Sequence, residues 1–508
     1  PMISSRAALW VLLLAAPLEA QSSDRWQPVR DAIEKQLQDV NGAAMSVAVA
    51  KDGKIIWEQA FGWANREKMI AATPNTMFSL ASISKPITAT GLMVQVQRKA
   101  IDLDRPTNDY LGAGKITGLA GDASGATVRR VMSHSAGLPL HYQFFYANEN
   151  RHPPSMDETI SRYGILVSAP GETFRYSNLG FGIIDYLISR TSGSSYRDFM
   201  RREVFLPLGL THTSIDIGPG LEAYAAERYD RMGRPVPFYT FDHNGGSAVY
   251  SSAHDLVRFG MFHMKDHLRD QHQILSDASI DEMKRPASPI AFGDSTLTYG
   301  LGWFNHRSDN GYNLVEHSGG MPGVATVLQM YPNEHLAIVA LTNGGGDPQA
   351  IAEDIAGVVL PRYADSLKAS RARPNARPAP PKFTPGAELV GTWTGTLRTW
   401  KKTLPLRLTI EADGDIKVRI GPEPTANQPP PDDTQLESLL NNVTWDRPVL
   451  RGEFAGTIPT PDAEWTPHTI ALELRLVGDR LRGQANAETP DKPVYFSIAS
   501  YVELSRRK

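Results

Sequence analysis

The sequence contains no cysteine, no apolar run long enough to cross a membrane, and no marked excess of charge of either sign. The absence of cysteine excludes disulfides, thiolate metal sites, a cysteine nucleophile and a lipid-modified cysteine at an export junction. Lys and Arg number 52 against 55 Asp and Glu, for a net charge of −3. This balance predicts no nucleic-acid partner and no attraction to an anionic membrane surface.

The length and composition are those of a folded protein with more than one domain. A chain of 508 residues is too long for a single ordinary core, so two or three domains are expected. Its residues are 41% hydrophobic and 21% charged, which is typical of a soluble globular protein.

A short apolar run over residues 7–16 follows Arg6 near the N-terminus. Ten residues are too few to span a membrane but suit the core of a signal peptide. Because the small residue Ala20 precedes Gln21, we predict a signal peptide over residues 1–20 and a soluble protein exported to the periplasm or secreted. A buried N-terminal helix is the alternative.

The central motif of the sequence lies in residues 78–88. Here an extended segment ends, and a helix predicted over residues 82–100 begins. Ser82 and Lys85 are three residues apart on its first turn, so their side chains share one face. The unpaired N–H groups and positive dipole end of that turn suit a serine nucleophile whose proton is taken by an amine. A simple helix cap is the alternative, since S-x-x-K also occurs by chance.

The distribution of strands and helices predicts an α+β fold followed by a separate β-domain. Strand patterns at 44–61 and 300–342 flank a helical and loop-rich middle, so one antiparallel sheet flanked by helices is expected over residues 21–363. Residues 364–386 are rich in proline and read as a linker. Residues 387–508 alternate apolar and polar residues between Gly and Asp turns, which predicts an antiparallel β-barrel or sandwich.

Two further segments carry groups that a serine–lysine site needs. Tyr176 offers a phenol whose pKa a nearby ammonium could lower, so that it trades protons with Ser82. Asn178 follows in what we predict to be an extended loop, and its side chain could bond a substrate carbonyl. A structural tyrosine at the end of a strand is the alternative.

The second segment is His317-Ser318-Gly319-Gly320, at the end of a predicted strand. Its small residues would let a substrate lie along the strand edge, and the N–H of Gly320 could form an oxyanion hole with the N–H of Ser82. A structural or surface role is the alternative for His317.

Together, Ser82-Ile83-Ser84-Lys85, Tyr176-Ser177-Asn178 and His317-Ser318-Gly319 resemble the three-motif signature of the serine β-lactamase and penicillin-binding superfamily. The sequence is most similar to the branch of class C β-lactamases, D-aminopeptidases, DD-carboxypeptidases and related carboxylesterases. Framework segments such as 132–139 and 299–303 match as well, and the similarity covers residues 28–362.

The resemblance implies an acyl-enzyme mechanism without a metal or another cofactor. Ser82 would attack a carbonyl, and Lys85 would be the base, alone or shared with Tyr176. Tyr176 would also protonate the leaving group and activate the deacylating water. Asn178 would orient the acyl amide, and the N–H groups of Ser82 and Gly320 would hold the oxyanion.

His317 stands where class C β-lactamases have lysine. A histidine is largely neutral near neutral pH and is a poorer partner for a β-lactam carboxylate. We therefore expect hydrolysis of amide or ester bonds in short D-amino-acid peptides or small esters. The alternatives are a class C β-lactamase, a penicillin-binding protein acylated without turnover, and an inactive scaffold.

The C-terminal β-domain also fits this branch, since some of its peptidases carry lipocalin-like domains. The segment Leu389 to Gly395 looks like the opening strand of such a domain. In relatives these domains shield the active site or support oligomerisation, so both roles are implied here. Whether the domain binds a ligand is left open, and a packing module without a ligand is favoured over a ligand-binding barrel.

Overall fold

The structure is a computed structural model that describes residues 24–39, 44–290, 296–308, 310–371, 383–422, 437–489 and 493–507. The predicted signal peptide and most of the predicted linker lie outside these ranges. Within them, no helix has the length and apolar character that crossing a membrane requires.

The helices of the described ranges all precede residue 372, in what we call the N-terminal part (residues 24–371). They are α1 (Gln27–Asp39), α2 (Ser84–Gln97), α3 (Val128–Met132), α4 (Met156–Tyr163), α5 (Asn178–Ser192), α6 (Tyr196–Met200), α7 (Asn244–Ser247), α8 (Ala253–His263), α9 (Asp277–Lys284), α10 (Pro348–Val359) and α11 (Pro361–Arg371). Helix α11 continues into the segment predicted as a linker, so residues 364–371 are helical.

The strands of the N-terminal part form one large sheet and several short pairings. They are β1 (Met45–Lys51), β2 (Lys54–Phe61), β3 (Trp63–Asn65), β4 (Ile70–Ala71), β5 (Phe78–Ser79), β6 (Thr117–Gly118), β7 (Tyr142–Tyr146), β8 (Ile165–Leu166), β9 (Thr213–Ile215), β10 (Tyr239–Phe241), β11 (Val249–Ser251), β12 (Ser288–Pro289), β13 (Thr298–Tyr299), β14 (Phe304–Arg307), β15 (Asn313–Met321), β16 (Val324–Tyr331) and β17 (Leu336–Thr342).

The large sheet has the order β12-β13-β14-β15-β16-β17-β1-β2, and its β1–β17 pairing is antiparallel, with Met45 opposite Thr342. The early hairpin therefore joins the late meander, which confirms the predicted α+β fold. Successive residues of a strand point to opposite faces. Val47 and Val49 accordingly pack in the core that contains residues of α1 and α10, while Ala48 and Ala50 pack in the core on the α8 side.

The C-terminal part is a nearly closed antiparallel barrel, as predicted from its alternating pattern. Its strands run in the order β21-β20-β19-β18-β26-β25-β24-β23-β22. They are β18 (Gly391–Arg398), β19 (Thr403–Ile410), β20 (Ile416–Ile420), β21 (Ser438–Leu439), β22 (Asn441–Asp446), β23 (Val449–Ala455), β24 (Thr469–Val477), β25 (Arg480–Glu488) and β26 (Phe496–Arg506).

The two parts are joined by backbone pairing. Strand β7 of the N-terminal part pairs with β26 of the C-terminal barrel, with Gln143 opposite Phe496, and also pairs with β10. Tyr163 and Trp400, one from each part, donate hydrogen bonds to the same carboxylate, Asp462. The barrel is thereby fixed against the face of the N-terminal part that carries Tyr176.

Candidate active site

Ser82 lies in a tight turn between β5 and α2. The turn is a 3-10 helix over Ala81–Ile83, so the α-helix begins at Ser84 rather than at Ser82 as predicted. Ala81 has a φ of +48°, in the left-handed region that side chains disfavour. The predicted pairing is nevertheless present, because Ser82 Oγ lies 3.1 Å from Lys85 Nζ.

Lys85 is fully buried among three oxygen atoms. Besides Ser82 Oγ, its Nζ lies 2.8 Å from Asn178 Oδ1 and 3.0 Å from the carbonyl oxygen of Gly246. Burial holds the pKa of Lys85 well below its ordinary value, which favours the neutral amine. Both carbonyl oxygens can only accept hydrogen bonds, so they take the two N–H groups of the neutral amine. Its lone pair is then left for the hydroxyl of Ser82.

The ring centroid of Tyr176 lies 4.6 Å from Lys85 Nζ, and the Ser82 side chain is close enough to affect the pKa of the Tyr176 phenol. The prediction that an ammonium lowers the pKa of this phenol is wrong. Burial raises the pKa of Tyr176, and the interaction with the Ser82 side chain offsets this only in part. The reason is that Lys85 is itself buried and favours its neutral form. Tyr176 is therefore a protonated phenol that can donate a hydrogen bond.

Asn178 is the first residue of α5 and does not lie in an extended loop, which corrects our prediction. Ser177 caps the helix, since its Oγ accepts the N–H of Gly180 at 2.9 Å. The Asn178 N–H donates to the Leu140 carbonyl at 2.7 Å. The helix start thus fixes the side chain that bonds Lys85.

The edge of β15 beside the Ser82 turn is open. Strand β14 pairs with β15 only as far as Glu316, so among the described strands none pairs with residues 317–321 on that side. Gly319 lies directly against the turn, because an added Cβ would be 2.1 Å from the Leu80 carbonyl oxygen. At Gly320 an added Cβ would have no atom of the described residues within 4 Å. The strand therefore touches the turn at one glycine and presents an open surface at the next.

His317 is buried behind this edge, with both ring nitrogens engaged. Its Nδ1–H donates to the Ser318 carbonyl at 2.7 Å, and its Nε2 accepts from the Tyr299 hydroxyl, 3.1 Å away. Burial, followed by the effect of Lys85, lowers the pKa of His317 to about 3. The ring is consequently neutral at physiological pH, as expected from the residue type.

His134 also belongs to the site, although from the sequence it was assigned only to the framework segment 132–139. Its Nδ1 accepts the N–H of Ser177 at 3.1 Å, and its carbonyl accepts the N–H of Arg175 at 2.6 Å. Its ring centroid lies 4.3 Å from that of Tyr176. His134 thus holds the segment on either side of Tyr176, and its φ of +57° marks it as a special backbone position.

The carbonyl of Gly246 was also missed, because any residue carries a carbonyl and no sequence pattern marks one that binds lysine. Its loop is anchored on both sides: the Gly246 N–H donates to the His243 carbonyl at 2.9 Å, and the Gly245 N–H donates to Asp185 at 2.5 Å. Burial raises the pKa of Asp185 to about 8, so this carboxyl is largely protonated at neutral pH.

A buried His–Asp–His group supports the same loop. Asp242 accepts hydrogen bonds from His141 at 2.7 Å, His243 at 2.9 Å, Gln143 at 3.2 Å and Thr159 at 3.5 Å. Side chains of this kind can bind a metal ion, and their ligand atoms lie within 4.8 Å of one another. Here hydrogen bonds occupy the carboxylate, so we assign the group a structural role.

Comparison with known proteins shows which family and which solved structures this chain resembles. The family model described as Beta-lactamase matches residues 29–360. Penicillin-binding protein 4* of Bacillus subtilis (strain 168) is 28% identical over 330 residues, which are 60% of this chain and 69% of that protein. Protein flp of Staphylococcus aureus (strain N315) is 23% identical over 63% of this chain and 64% of its own length. The Unguisins hydrolase ungD' of Aspergillus campestris (strain IBT 28561) is 26% identical over 62% of this chain and 61% of its own length.

Two solved structures are similar in fold. An octameric penicillin-binding protein homologue from Pyrococcus abyssi has a TM-score of 0.57 at 18% identity, over 94% of this chain and 99% of that one. A class C beta-lactamase has a TM-score of 0.56 at 19% identity, over 69% of this chain and 98% of its own. The family match covers more than half of the chain, and the fold agrees with it. The chain belongs to the Beta-lactamase family of serine hydrolases.

Proposed function

We propose that this protein cleaves amide or ester bonds, in D-amino-acid peptides or small esters, through an acyl-enzyme formed on Ser82. The observation that carries the proposal is the environment of Lys85. Two carbonyl oxygens take the N–H groups of its neutral amine, 2.8 and 3.0 Å from Nζ. The lone pair therefore faces the hydroxyl of Ser82, which is the arrangement a general base requires.

In acylation, Ser82 Oγ attacks the substrate carbonyl carbon while its proton passes to Lys85. The N–H groups of Ser82 and Gly320 hold the oxyanion of the tetrahedral intermediate. This role suits the contact between β15 and the nucleophile turn at Gly319 and the open surface at Gly320. The side-chain oxygen of Asn178 accepts a hydrogen bond from Lys85. Its side-chain nitrogen is the group that we propose donates a hydrogen bond to the acyl part of the substrate.

Collapse of the intermediate breaks the bond to the leaving group, which needs a proton. Tyr176 is protonated and lies beside Lys85, so it can give its proton to the leaving group and regain one from the ammonium of Lys85. In deacylation the same groups act in reverse. Water gives a proton to the Tyr176–Lys85 pair and attacks the ester carbon. The bond between that carbon and Ser82 Oγ then breaks, and the pair returns the proton to Ser82 Oγ.

The third motif favours substrates other than anionic β-lactams. His317 is neutral and buried, and both of its ring nitrogens have partners within the protein. It therefore supplies no cation for a β-lactam carboxylate. One of the relatives is named as a hydrolase of unguisins, which is in line with a hydrolytic role outside β-lactam breakdown.

Intact-mass spectrometry tests the proposal directly. The full chain is exposed to a fluorophosphonate and, separately, to a β-lactam, with Ser82→Ala as the control variant. We expect one fluorophosphonate adduct on the wild type and none on Ser82→Ala. If neither reagent modifies Ser82, the proposed function is wrong.

The β-lactam arm distinguishes a second candidate function, that of a penicillin-binding protein acylated without turnover. It is favoured by the match to Penicillin-binding protein 4*, of which the chain spans 69%. A β-lactam adduct that clears within minutes indicates turnover, whereas one that persists for hours indicates the binding function.

A further inference from the structure

A large cavity lies between the N-terminal part and the C-terminal barrel. Its volume is about 1110 Å³, which is large enough for a short peptide. Tyr176 lines it from the N-terminal part, and strands β22 to β25 line it from the barrel. The cavity thus extends from Tyr176, which we propose protonates the leaving group, to the outer face of the barrel.

Strand β25 supplies a row of polar side chains to this cavity. Alternate residues of a strand point to opposite faces, and Leu481, Ala485 and Ala487 pack in the hydrophobic core. The residues between them face the other way and all line the cavity: Arg482, Gln484, Asn486 and Glu488. The barrel therefore turns one polar sheet face toward the serine site.

One ion pair and one strand pairing link Gln484 to the segment that carries Tyr176. Arg175, next to Tyr176 in sequence, forms an ion pair of 2.5 Å with Glu473 of β24. Glu473 is directly opposite Gln484 in the β24–β25 register. Two residues further along β25, Asn486 stands opposite Ala471, whose small side chain leaves space above it.

The side-chain oxygens of Gln484 and Asn486 have no hydrogen-bond partner among the described residues. Gln484 is 5% exposed and Asn486 is 7% exposed, and Gln484 Oε1 and Asn486 Oδ1 are buried without a hydrogen bond to any residue that the structure describes. Buried polar atoms are nearly always bonded, so a pair without partners in a cavity wall is suited to a ligand. Carbonyl oxygens accept hydrogen bonds, so the ligand must bring hydrogen-bond donors, which in a peptide are its amide N–H groups. Arg175 and Arg451 both pair with Glu473, and Arg482 and Glu488 lie on either side of the two amides along β25, so the subsite is polar and has charged groups beside it.

We propose that Gln484 and Asn486 of the C-terminal barrel bind the amide N–H groups of the leaving-group side of a peptide-like substrate, so that the barrel selects substrates for Ser82. The inference rests on the proposed function, because it takes Ser82 as the nucleophile. It assigns the peptide rather than the small-ester class as the preferred substrate.

Two fluorophosphonates that differ only in the ester arm test the subsite. One carries an ethyl arm and the other an arm with two glycyl amides. In both, Ser82 Oγ forms a bond to phosphorus, fluoride leaves, and Lys85 takes the hydroxyl proton. The second-order rate of labelling is followed by intact mass. We expect the wild type to prefer the amide arm by at least about tenfold, since two or more hydrogen bonds form only with that reagent.

The variants identify which residues give the preference. Gln484→Ala with Asn486→Ala should bring the ratio of the two rates to near one. Ala471→Leu should also lower it, by filling the space opposite Asn486 while leaving both amides in place. Arg480→Ala is the matched control, because Arg480 lies on the same face of β25 but outside the cavity, and it should keep the wild-type ratio.

The outcomes separate this inference from the proposed function. Labelling of Ser82 by both reagents at equal rates in the wild type would overturn the subsite alone. A wild-type preference that survives in both the double variant and Ala471→Leu would overturn it as well. If neither reagent labels Ser82, the proposed function fails and the subsite fails with it. Should the double variant not fold, Ala471→Leu decides the question.

Discussion

The side-chain oxygen of Asn178 lies 2.8 Å from the Nζ atom of Lys85. A neutral amide at this distance accepts one N–H of the amine without adding charge. A carboxylate at the same place would instead stabilise the ammonium form. The identity of residue 178 therefore controls the protonation of the proposed base, besides any contact it makes with a substrate.

Asn178→Asp should accordingly raise the pKa of Lys85 and slow acylation. Lys85 acts as a base only when neutral, so activity is present above its pKa and is lost as the pH falls through it. At pH 7 we expect the labelling of Ser82 by a fluorophosphonate to fall about 100-fold. The rate should recover at alkaline pH, which a pH–rate profile measures. Asn178→Ala adds no charge and should not displace the profile; an undisplaced profile for Asn178→Asp would contradict the assignment.

Gly319 and Gly320 are neighbours with opposite tolerance for a side chain. An alanine Cβ at Gly319 would lie 2.1 Å from the Leu80 carbonyl oxygen, so β15 or the nucleophile turn must move. We expect Gly319→Ala to lower the melting temperature by about 2 to 6 °C, as overpacking does. The added Cβ of Gly320→Ala meets no atom within 4 Å in the part of the chain that the structure describes, so this variant should change the melting temperature by less than about 1 °C. Equal shifts in the two variants would show that the contact at Gly319 is unimportant.

Much of this fold could be predicted because its signals are local. The Lys51-Asp52-Gly53 turn joins β1 to β2, and alternating residues mark β19, β20, β24 and the start of β26. Strands β22 and β23 were not predicted, since Asn441–Asp446 is polar and mostly exposed and carries no clear alternation. The pairing of β7 with β26 could not be predicted either, because it joins segments more than 300 residues apart.

The site was predictable only where side-chain chemistry is distinctive. The motif residues Ser82, Lys85, Tyr176 and Asn178 come together as expected. The direction of the pKa shift of Tyr176 could not be obtained from sequence, because it depends on burial. The Gly246 carbonyl likewise depends on tertiary contact alone.

Asp242 should be important for stability. It is fully buried and ionised, since burial would raise its pKa but His141 and His243 together hold it below the ordinary value. Asp242→Ala leaves several buried donors without an acceptor, and we expect a loss of about 3 kcal/mol of unfolding free energy at pH 7. Thermal unfolding followed by circular dichroism measures this loss.

The pH dependence of the same variant gives an internal control. A carboxyl with a lowered folded pKa stabilises the protein above its unfolded pKa, near 4, and this contribution is lost as the pH falls toward the folded pKa. The difference in melting temperature between wild type and Asp242→Ala should therefore narrow between pH 7 and pH 3. A difference that stays constant over this range would show that the carboxylate charge contributes nothing.

Arg175 and Glu473 should couple the two parts of the molecule. Burial alone would raise the pKa of Glu473, but Arg175 and Arg451 hold it below its ordinary value. The Arg175 and Glu473 side chains are 13% and 27% exposed, whereas those of the barrel pair Arg480 and Glu503 are 58% and 32% exposed. Since solvent screens exposed ion pairs, a double-mutant cycle with alanine should give about 1–2 kcal/mol for the first pair and less than about 0.5 kcal/mol for the second.

Urea denaturation followed by tryptophan fluorescence supplies the four free energies of each cycle. The coupling of Arg175 with Glu473 should also weaken below about pH 4, because a carboxyl with a lowered pKa contributes stability that is lost in acid. Equal coupling in the two pairs would mean that the barrel is not held through this contact. In that case the position of Gln484 relative to Tyr176 would have to depend on the backbone pairing of β7 with β26 instead.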